Sequence, residues 1–387
     1  MLTQHFCTAP QCSPSRASII TSQMPHTNGM IGLAHRGFRL KPEARTLPSL
    51  LADAGYSTNL LGLQHEGPDA NDLGYENVIR AEGKGHSCLS VTPLVVDFLQ
   101  SQPQEPFFAS VGFSETHRAY PESDTPVEDV EPFGYLPDDP AVRRDIADLE
   151  VLVRRVDDAV GSIMKTLRAT GLLDRTLVIF TTDHGIAFPR AKATLFDPGL
   201  GTAFVARLPE GNPAGLKIHA PVSNMDFMPT LLEYLQIPGP AGIHGKSLME
   251  VIAGQAASTR DALFFELTYH AAYDPMRAVR TNRYKYIRSF AKRPFAFPPN
   301  VDAGHTKELV NRLGWFEQPR PAEQLYDLAE DPFELENLAA SAEHEKVLAE
   351  LRERLDRWME ETDDPLRHGP VPPPEGAYVT PEDSYKP

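Results

Sequence analysis

Residues 141–182 read AVRRDIADLEVLVRRVDDAVGSIMKTLRATGLLDRTLVIFTT. Apolar residues recur in the first thirty positions at the three- and four-residue spacing of one helix face. Gly171 is placed to end that helix, and the apolar run 176–182 that follows predicts a buried strand. The apolar helix positions are Ile146, Leu149, Leu152, Val156, Val160, Ile163 and Leu167. A long helix that leads directly into a buried strand is typical of an α/β fold with a parallel sheet.

The same alternation of helices and strands extends outward from this segment over the first 254 residues. Residues 46–56 (TLPSLLADAGY) predict a helix capped by Thr46. Residues 57–62 (STNLLG) and 106–113 (PFFASVGF) predict buried strands, and residues 224–237 predict a further helix. We therefore assign residues 1–254 to one large α/β domain.

The pattern changes after residue 254. Residues 262–270, 276–290 and 323–332 alternate as strands of an antiparallel sheet do, and residues 342–361 form an amphipathic helical pattern. We predict a smaller α+β domain over residues 255–363, followed by a proline-rich surface tail over residues 364–387.

Composition excludes several classes of protein. The formal net charge is −16 and no basic run interrupts the acidity, which argues against nucleic acid as a partner. No apolar stretch approaches the roughly 20 residues of a membrane helix, so we predict no membrane span. Three cysteines in 387 residues are too few for a disulfide framework. The residues leave a homodimer open as the assembly.

Charged and histidine side chains follow the ends of three predicted strands. His65 follows the first strand, His117 and Arg118 follow the second, and Asp183 and His184 follow the third. Ligands in open α/β sheets bind beyond the carboxyl ends of the strands, so we expect these side chains to share one site. With the nearby cations Lys192 and Arg16, they suit a small, strongly anionic group.

A nucleophile for this site is suggested by Cys12. The segment after it predicts a helix, so Cys12 lies at a helix N-terminus, where the backbone favours negative charge. A thiolate there would have a lowered pKa. The residues alone leave open whether the thiolate or another form of this side chain acts.

The segment CSPSRASIITS, residues 12–22, resembles the sulfatase motif C-x-P-S-R of the alkaline-phosphatase-like superfamily. The resemblance implies a mixed or parallel sheet sandwiched by helices, with a smaller C-terminal domain of antiparallel sheet and helix. In that family a formylglycine-generating enzyme oxidises the cysteine to Cα-formylglycine. The hydrated aldehyde attacks sulfur, and the resulting sulfated intermediate collapses to release sulfate. The resemblance therefore implies this modification at Cys12, with Arg16 orienting the diol.

Further motifs extend the resemblance over nearly the whole chain. Residues 55–67 are similar to the family's strand ending in G-K-x-H, and residues 179–185 to its metal-binding D-[HN]-G. The resemblance implies catalytic roles for His65, His117 and Lys192, and a Ca²⁺ or Mg²⁺ site at Asp183 and His184.

Within the family the likeness is greatest to the heparan N-sulfatases (sulfamidases). It rests on CSPSRAS with NGMIGL, on DHGIAFP leading into LFDPG, on DPMRAVR and on RWMEETDDP. We predict hydrolysis of a sulfate ester or sulfamate of a small molecule or saccharide such as N-sulfoglucosamine. Glu266 and His270 of the smaller domain, with Arg118, are predicted to contact that substrate.

The sequence departs from the family pattern in two places. The family takes two further metal-binding aspartates from a first strand upstream of the cysteine, and only eleven residues precede Cys12 here. We interpret this as a truncated start. The protein is then cytoplasmic as written, and periplasmic or exported if a leader is missing. The second departure is Leu63, where many sulfatases carry a lysine that Gln64 or Arg118 could partly replace.

Two alternatives remain open from the sequence. One is a phosphonate or phosphate ester hydrolase of the same superfamily. The other is a catalytically incomplete homologue that lacks the first strand.

Overall fold

The long helix and the strand that follows it are confirmed in a computed structural model, which describes residues 1–81, 83, 85–209, 215–291 and 295–381. The helix runs over Pro140–Ala169. The side chain of Asp139 accepts a hydrogen bond from the Ala141 N–H at 2.8 Å and so caps the helix N-terminus. Gly171 has a positive φ of 73° just after the helix, a conformation that glycine adopts without steric cost. The strand Val178–Thr181 comes next.

The described helices are numbered in chain order. They are α1 Cys12–Thr21, α2 Pro25–Asn28, α3 Leu47–Asp53, α4 Cys88–Gln100, α5 Pro140–Ala169, α6 Asp197–Leu200, α7 Phe227–Tyr234, α8 Met249–Ile252, α9 His305–Arg312 and α10 Glu345–Glu361. In the described ranges no helix is both long enough and apolar enough to cross a membrane.

The described strands are numbered in the same way. They are β1 His5–Phe6, β2 Ser57–Gly62, β3 Asn77–Ile79, β4 Phe107–Gly112, β5 Val178–Thr181, β6 Phe204–Arg207, β7 Val222–Ser223, β8 Leu263–Tyr269, β9 Tyr273–Arg280, β10 Tyr284–Ser289 and β11 Glu323–Asp327. The predicted strands 57–62 and 106–113 are confirmed as β2 and β4.

The strands of the first 254 residues form three separate groups. The order β3-β2-β4 is a parallel sheet, β5 and β6 form an antiparallel pair, and β1 pairs with β7 in parallel. The mixed parallel and antiparallel pairing agrees with the predicted fold class. Among the residues that the structure describes, β4 pairs only with β2 and β5 pairs only with β6.

A cavity of 2020 Å³ is lined by residues of β4 and β5. Apolar residues of α4 and α5 form part of the wall, and residues of α3 and α7 form another part. The cavity thus lies among elements that otherwise form the core of an α/β sandwich. Each of these two strands leaves one edge of backbone N–H and C=O groups unpaired in the described chain.

The smaller unit is a four-stranded antiparallel sheet in the order β11-β10-β9-β8. Helix α10 covers it through Leu348, Leu351, Leu355 and Trp358, which share one buried cluster with Val279 and Tyr286 of the sheet. The predicted antiparallel strands and amphipathic helix are therefore confirmed. Residue 254 as the domain boundary stays a prediction.

Asp364 and Leu366 at the start of the tail are buried, whereas residues 367–381 are exposed or half-buried. Asp364 is fully buried and accepts a hydrogen bond from the Arg277 guanidinium at 3.1 Å. Further along, the backbone N–H of Tyr378 donates to the Arg36 carbonyl at 2.8 Å. An ion pair and a backbone contact thus hold the tail to the body of the protein. Residues 382–387 lie outside the described residues.

Candidate active site

Cys12 is the first residue of α1, as the sequence predicted. Gln11 precedes it in an extended conformation, so the chain turns into the helix at the cysteine. The Cys12 Sγ lies 3.3 Å from the Nε2 of His184. The other ring nitrogen of His184, Nδ1, donates to the Gly185 carbonyl at 2.7 Å, which directs Nε2 towards the sulfur. Burial opposes ionisation of the thiol. The charge of His184 and hydrogen bonds from His184 and His65 outweigh burial and lower the Cys12 pKa well below its ordinary value.

Arg16 and Asp183 form an ion pair beside the cysteine. The Arg16 Nε donates to the Asp183 Oδ2 at 2.8 Å, and the His184 backbone N–H donates to Oδ1 at 3.1 Å. Burial raises the Asp183 pKa, but the positive charges of Arg16 and His184 prevail and hold that pKa far below its ordinary range. The carboxylate is therefore ionised.

Lys192 brings a second permanent cation to the site. Its side chain is 4% exposed, and its Nζ donates to the Asp302 Oδ2 at 2.8 Å and lies 3.4 Å from the His117 Nε2. Burial lowers the Lys192 pKa, but the charges of Cys12 and Asp302 raise it above its ordinary value. A buried, protonated ammonium can stabilise the oxyanions of a tetrahedral anion.

The rings of His65 and His35 lie together near the cysteine. The Nε2 of His65 is 2.8 Å from the Nδ1 of His35, and the rings stack with centroids 5.0 Å apart. Burial and the neighbouring charge of His65 lower the pKa of His35. His35 was not predicted as a site residue because it follows no predicted strand. Its position is set by a short helical turn, Ala34–Arg36, that only the folded chain brings beside His65.

One cavity connects the predicted catalytic residues. Cys12, Arg16, His65, His117, Asp183, His184 and Lys192 all line the 2020 Å³ cavity. The expectation that three strand ends share one site therefore agrees with the structure, while the role of each residue stays a prediction.

His270 is buried close to this group. The residue is 8% exposed, and its Nδ1 has no hydrogen-bond partner in the described chain. Burial and the charge of Lys192 lower its pKa to about 3, so the ring is neutral. The predicted substrate contact of His270 is not tested by its position.

Arg118 lines the cavity, but protein groups engage much of its guanidinium. Its guanidinium donates to both Asp145 carboxylate oxygens at 2.7 Å and to the Ala187 carbonyl at 2.9 Å. It also lies over the ring of Tyr120. Three of the five guanidinium N–H donors thus bind protein groups, which gives Arg118 a structural role, and its substrate contact stays a prediction.

Gln64 is also committed to local contacts. Its Nε2 donates to the Gly67 carbonyl at 2.9 Å, and its Oε1 accepts from the Glu66 N–H at 3.0 Å. Leu63 lines the cavity. These contacts hold the Gln64 amide within its own loop, so the structure does not place Gln64 as a substitute for the family lysine.

The prediction that Glu266 contacts substrate is wrong in this structure. Its side chain is 1% exposed, its Oε1 accepts from the His26 backbone N–H at 2.8 Å, and its Oε2 is hydrogen-bonded to the His26 ring. The Arg277 Nε lies 3.8 Å from Oε2. The sequence pattern predicted the strand β8 but could not show that Glu266 is buried against His26 and Arg277.

The side chains near the cysteine supply only part of a site for the metal that the family resemblance implies. Cys12, Asp183 and His184 offer ligand atoms within 4.8 Å of one another. Ca²⁺ takes six to eight oxygen ligands, but this group contains one carboxylate, and both its oxygens already accept hydrogen bonds from Arg16 and His184. The described donors therefore do not form a complete hard-cation site.

The comparisons with known proteins agree with the motifs. Residues 1–237 match the family model "Sulfatase", and residues 185–296 match "N-sulphoglucosamine sulphohydrolase, C-terminal". Human N-sulphoglucosamine sulphohydrolase is 32% identical to this chain over 93% of the chain and 83% of the human protein.

Solved structures share the fold. One, in complex with its substrate D-glucosamine-2-N,6-O-disulfate, has a TM-score of 0.71 at 18% identity and covers 95% of this chain and 91% of its own. The phosphonate monoester hydrolase of Silicibacter pomeroyi has a TM-score of 0.67 at 20% identity, with coverages of 94% and 89%. At these identities the likeness shows the alkaline-phosphatase-like fold alone.

Proposed function

This chain belongs to the sulfatase family, and from that membership we propose that it hydrolyses the N-sulfate or O-sulfate of a glucosamine-type sugar. The observation that carries the proposal is the meeting of Cys12, His184 and Asp183 at the start of α1, with the buried Lys192 on the same cavity. The human relative is named for N-sulphoglucosamine, and a structural neighbour binds a sulfated glucosamine. These names support the substrate class.

We propose Cys12 as the residue that a formylglycine-generating enzyme converts to Cα-formylglycine. The hydrated aldehyde would supply the hydroxyl that attacks sulfur. Arg16 lies one helical turn from residue 12, and through its ion pair with Asp183 it keeps a positive charge beside the position of attack. The Cys12–His184 distance of 3.3 Å allows His184 to hold a proton of the group at position 12.

The sulfuryl oxygens would be bound by the ammonium of Lys192. The leaving atom would take its proton from a histidine. His117 is suited to this because its Nε2 lies 3.4 Å from the Lys192 Nζ, so a group bound to that ammonium also comes within reach of the imidazole. An amine leaving group must be protonated to depart, so substitution of His117 is expected to affect a sulfamate more than an aryl sulfate.

Two measurements test the proposal. Mass spectrometry of the intact peptide across Cys12, taken from the native host, should show an aldehyde or its hydrate, and an unmodified thiol would contradict the formylglycine step. Sulfate release from N-sulfoglucosamine should exceed turnover of a phosphonate monoester. Faster turnover of the phosphonate would instead identify the chain as a phosphonate hydrolase.

A second candidate, a site that is incomplete by itself, is favoured by the cavity between β4 and β5. Two unpaired strand edges and apolar walls match the space and the backbone groups that an inserted strand would need. The described residues Cys12, Asp183 and His184 supply only one carboxylate for a metal, which also favours an incomplete site. Under this candidate, the chain gains metal affinity only when an extended apolar segment ending in carboxylates fills the cavity.

Calcium titration of the chain by calorimetry, with and without such a segment fused upstream of residue 1, tests the second candidate. Binding and sulfate release only in the extended form would support it. Tight binding of Ca²⁺ and sulfate release by the chain as it stands would contradict it.

A further inference from the structure

Asp302 connects the smaller unit to the Lys192 ammonium. It follows a short helical turn, Pro298–Asn300, and its carboxylate accepts from the Lys192 Nζ at 2.8 Å. Burial raises the Asp302 pKa, but the charge of Lys192 lowers it below its ordinary value. The side chain is 22% exposed, so this ionised carboxylate is not sealed away from a ligand.

The loop that carries Asp302 is fixed in place. The buried Asn300 accepts from the backbone N–H groups of Ala271 and Ala272 at 3.0 and 3.3 Å. This contact holds the loop against the turn that begins at His270, whose buried Nδ1 lacks a partner in the described chain. Asp302 therefore has a defined position relative to Lys192.

The hydrogen bonds around Lys192 leave one donor direction for a ligand. The His117 Nδ1 donates to the Arg118 carbonyl at 2.7 Å, which directs the other ring nitrogen, Nε2, towards the Lys192 ammonium. Lys192 has three N–H donors. In the described chain one is directed at His117 and another at Asp302. The third can reach a sulfuryl oxygen.

A ligand held by this third donor comes close to Asp302. The sulfuryl oxygen and the bridging atom of the substrate are bonded to the same sulfur. The carboxylate is one hydrogen bond from the same ammonium, so it lies within reach of the bridging atom. A carboxylate only accepts hydrogen bonds. The bridging nitrogen of a sulfamate carries an N–H, whereas the bridging oxygen of a sulfate ester has no hydrogen.

We propose that Asp302 is a specificity-determining residue that accepts the N–H of a sulfamate and thereby favours N-sulfated over O-sulfated substrates. The inference rests on the proposed function, because it assumes that Lys192 binds the sulfuryl group. A hydrogen bond to a charged acceptor corresponds to about a 10- to 100-fold change in affinity.

The experiment compares two anions of equal charge and similar shape. Inorganic sulfamate carries N–H donors, and methanesulfonate carries a methyl group in their place. Calorimetry on the full chain measures both dissociation constants in the wild type, in Asp302→Asn and in Asp302→Leu, and thermal melting confirms that each variant is folded. Any effect of a substitution on Lys192 changes both affinities alike, so the ratio isolates the N–H contact.

We expect the wild type to prefer sulfamate by about 10-fold or more, and Asp302→Leu to bind both anions equally. Asp302→Asn, which keeps an acceptor without the charge, should lie between them. Equal affinities in the wild type, or a preference that survives in Asp302→Leu, would overturn the proposal. Failure of the wild type to bind either anion would instead overturn the sulfuryl site at Lys192, which is the premise taken from the proposed function.

Discussion

Substitution of Arg118 by alanine should destabilise the protein without changing how it binds substrate. Arg118 is 9% exposed in its side chain and Asp145, on α5, is 2% exposed. The guanidinium also contacts the Ala187 carbonyl, so it joins the loop after β4 to α5 and to the segment after β5. Removing it leaves a buried carboxylate without its cation.

The cost follows from that uncompensated charge. Breaking a buried ion pair by removing one partner costs about 3–5 kcal/mol in the free energy of unfolding. Asp145 keeps the hydrogen bond from the Thr306 N–H at 3.0 Å, so the middle of this range is expected. An exposed pair on the same helix gives a matched control. Arg154 and Glu150 are 61% and 46% exposed, and Arg154→Ala should cost only about 0.3–0.5 kcal/mol.

Urea unfolding of the wild type, Arg118→Ala, Asp145→Ala and the double variant measures the effect. The double variant should recover part of the loss, because neither buried charge is then left alone. Michaelis constants for the sulfated sugar should be unchanged wherever the variant remains folded. A raised KM with a free energy of unfolding within about 0.5 kcal/mol of the wild type, the usual range for a surface substitution, would refute the structural role and restore Arg118 as a substrate contact.

Three further predictions concern Glu266, Gly185 and His5. Glu266→Gln removes the charge that faces His26 and Arg277 and should lower the free energy of unfolding by about 3–5 kcal/mol, with no change in KM; a changed KM at wild-type stability would return it to the substrate site. Gly185→Ala should lower the free energy of unfolding by about 1–3 kcal/mol and reduce sulfate release, because the added Cβ would lie 1.9 Å from the Pro198 carbonyl oxygen. The control is Gly161→Ala on α5, where the added Cβ would have no neighbour within 4 Å. This control should be neutral or stabilising in the same urea unfolding assay. Burial lowers the pKa of His5 to about 4 from its ordinary 6.5, so the unfolded chain takes up the proton first and stability is lost as the pH falls between these values, by at most about 1.4 kcal/mol per pH unit. His5→Gln should remove that part of the dependence in urea unfolding at pH 7 and pH 5, and an unchanged slope would contradict the assignment.

Local patterns predicted the elements because local forces set them. The three- and four-residue spacing in α5 and the apolar run of β5 are properties of neighbouring residues, and both elements are present where predicted. Cys12 at the first position of α1 follows from the same local rules. The prediction that residues after three strands share one site also needed no structure, because the carboxyl ends of parallel strands meet at one edge of a sheet.

Side-chain partners depended on contacts that no local pattern contains. Arg118 and Glu266 carry the charges expected of substrate contacts, yet Asp145 and Arg277 bind them in the interior. His35 and Asp302 lie beside His65 and Lys192 although they are 30 and 110 residues away in the chain. Residue type showed that these groups can bind an anion or a cation, and only the fold determined which partner each one meets.

The sequence by itself determined the family, the longer helices and strands and the residues of the C-x-P-S-R and D-H-G motifs, because these depend on residue identity and short-range spacing. The tertiary structure alone decided which charges are paired in the core and that a carboxylate from the smaller unit reaches Lys192. It also decided that, among the residues the structure describes, β4 and β5 each leave one edge unpaired beside the cavity that Cys12 lines. The physical reason is that burial and long-range contact fix the partner, the charge state and the accessibility of a side chain, and none of these is encoded in its immediate neighbours.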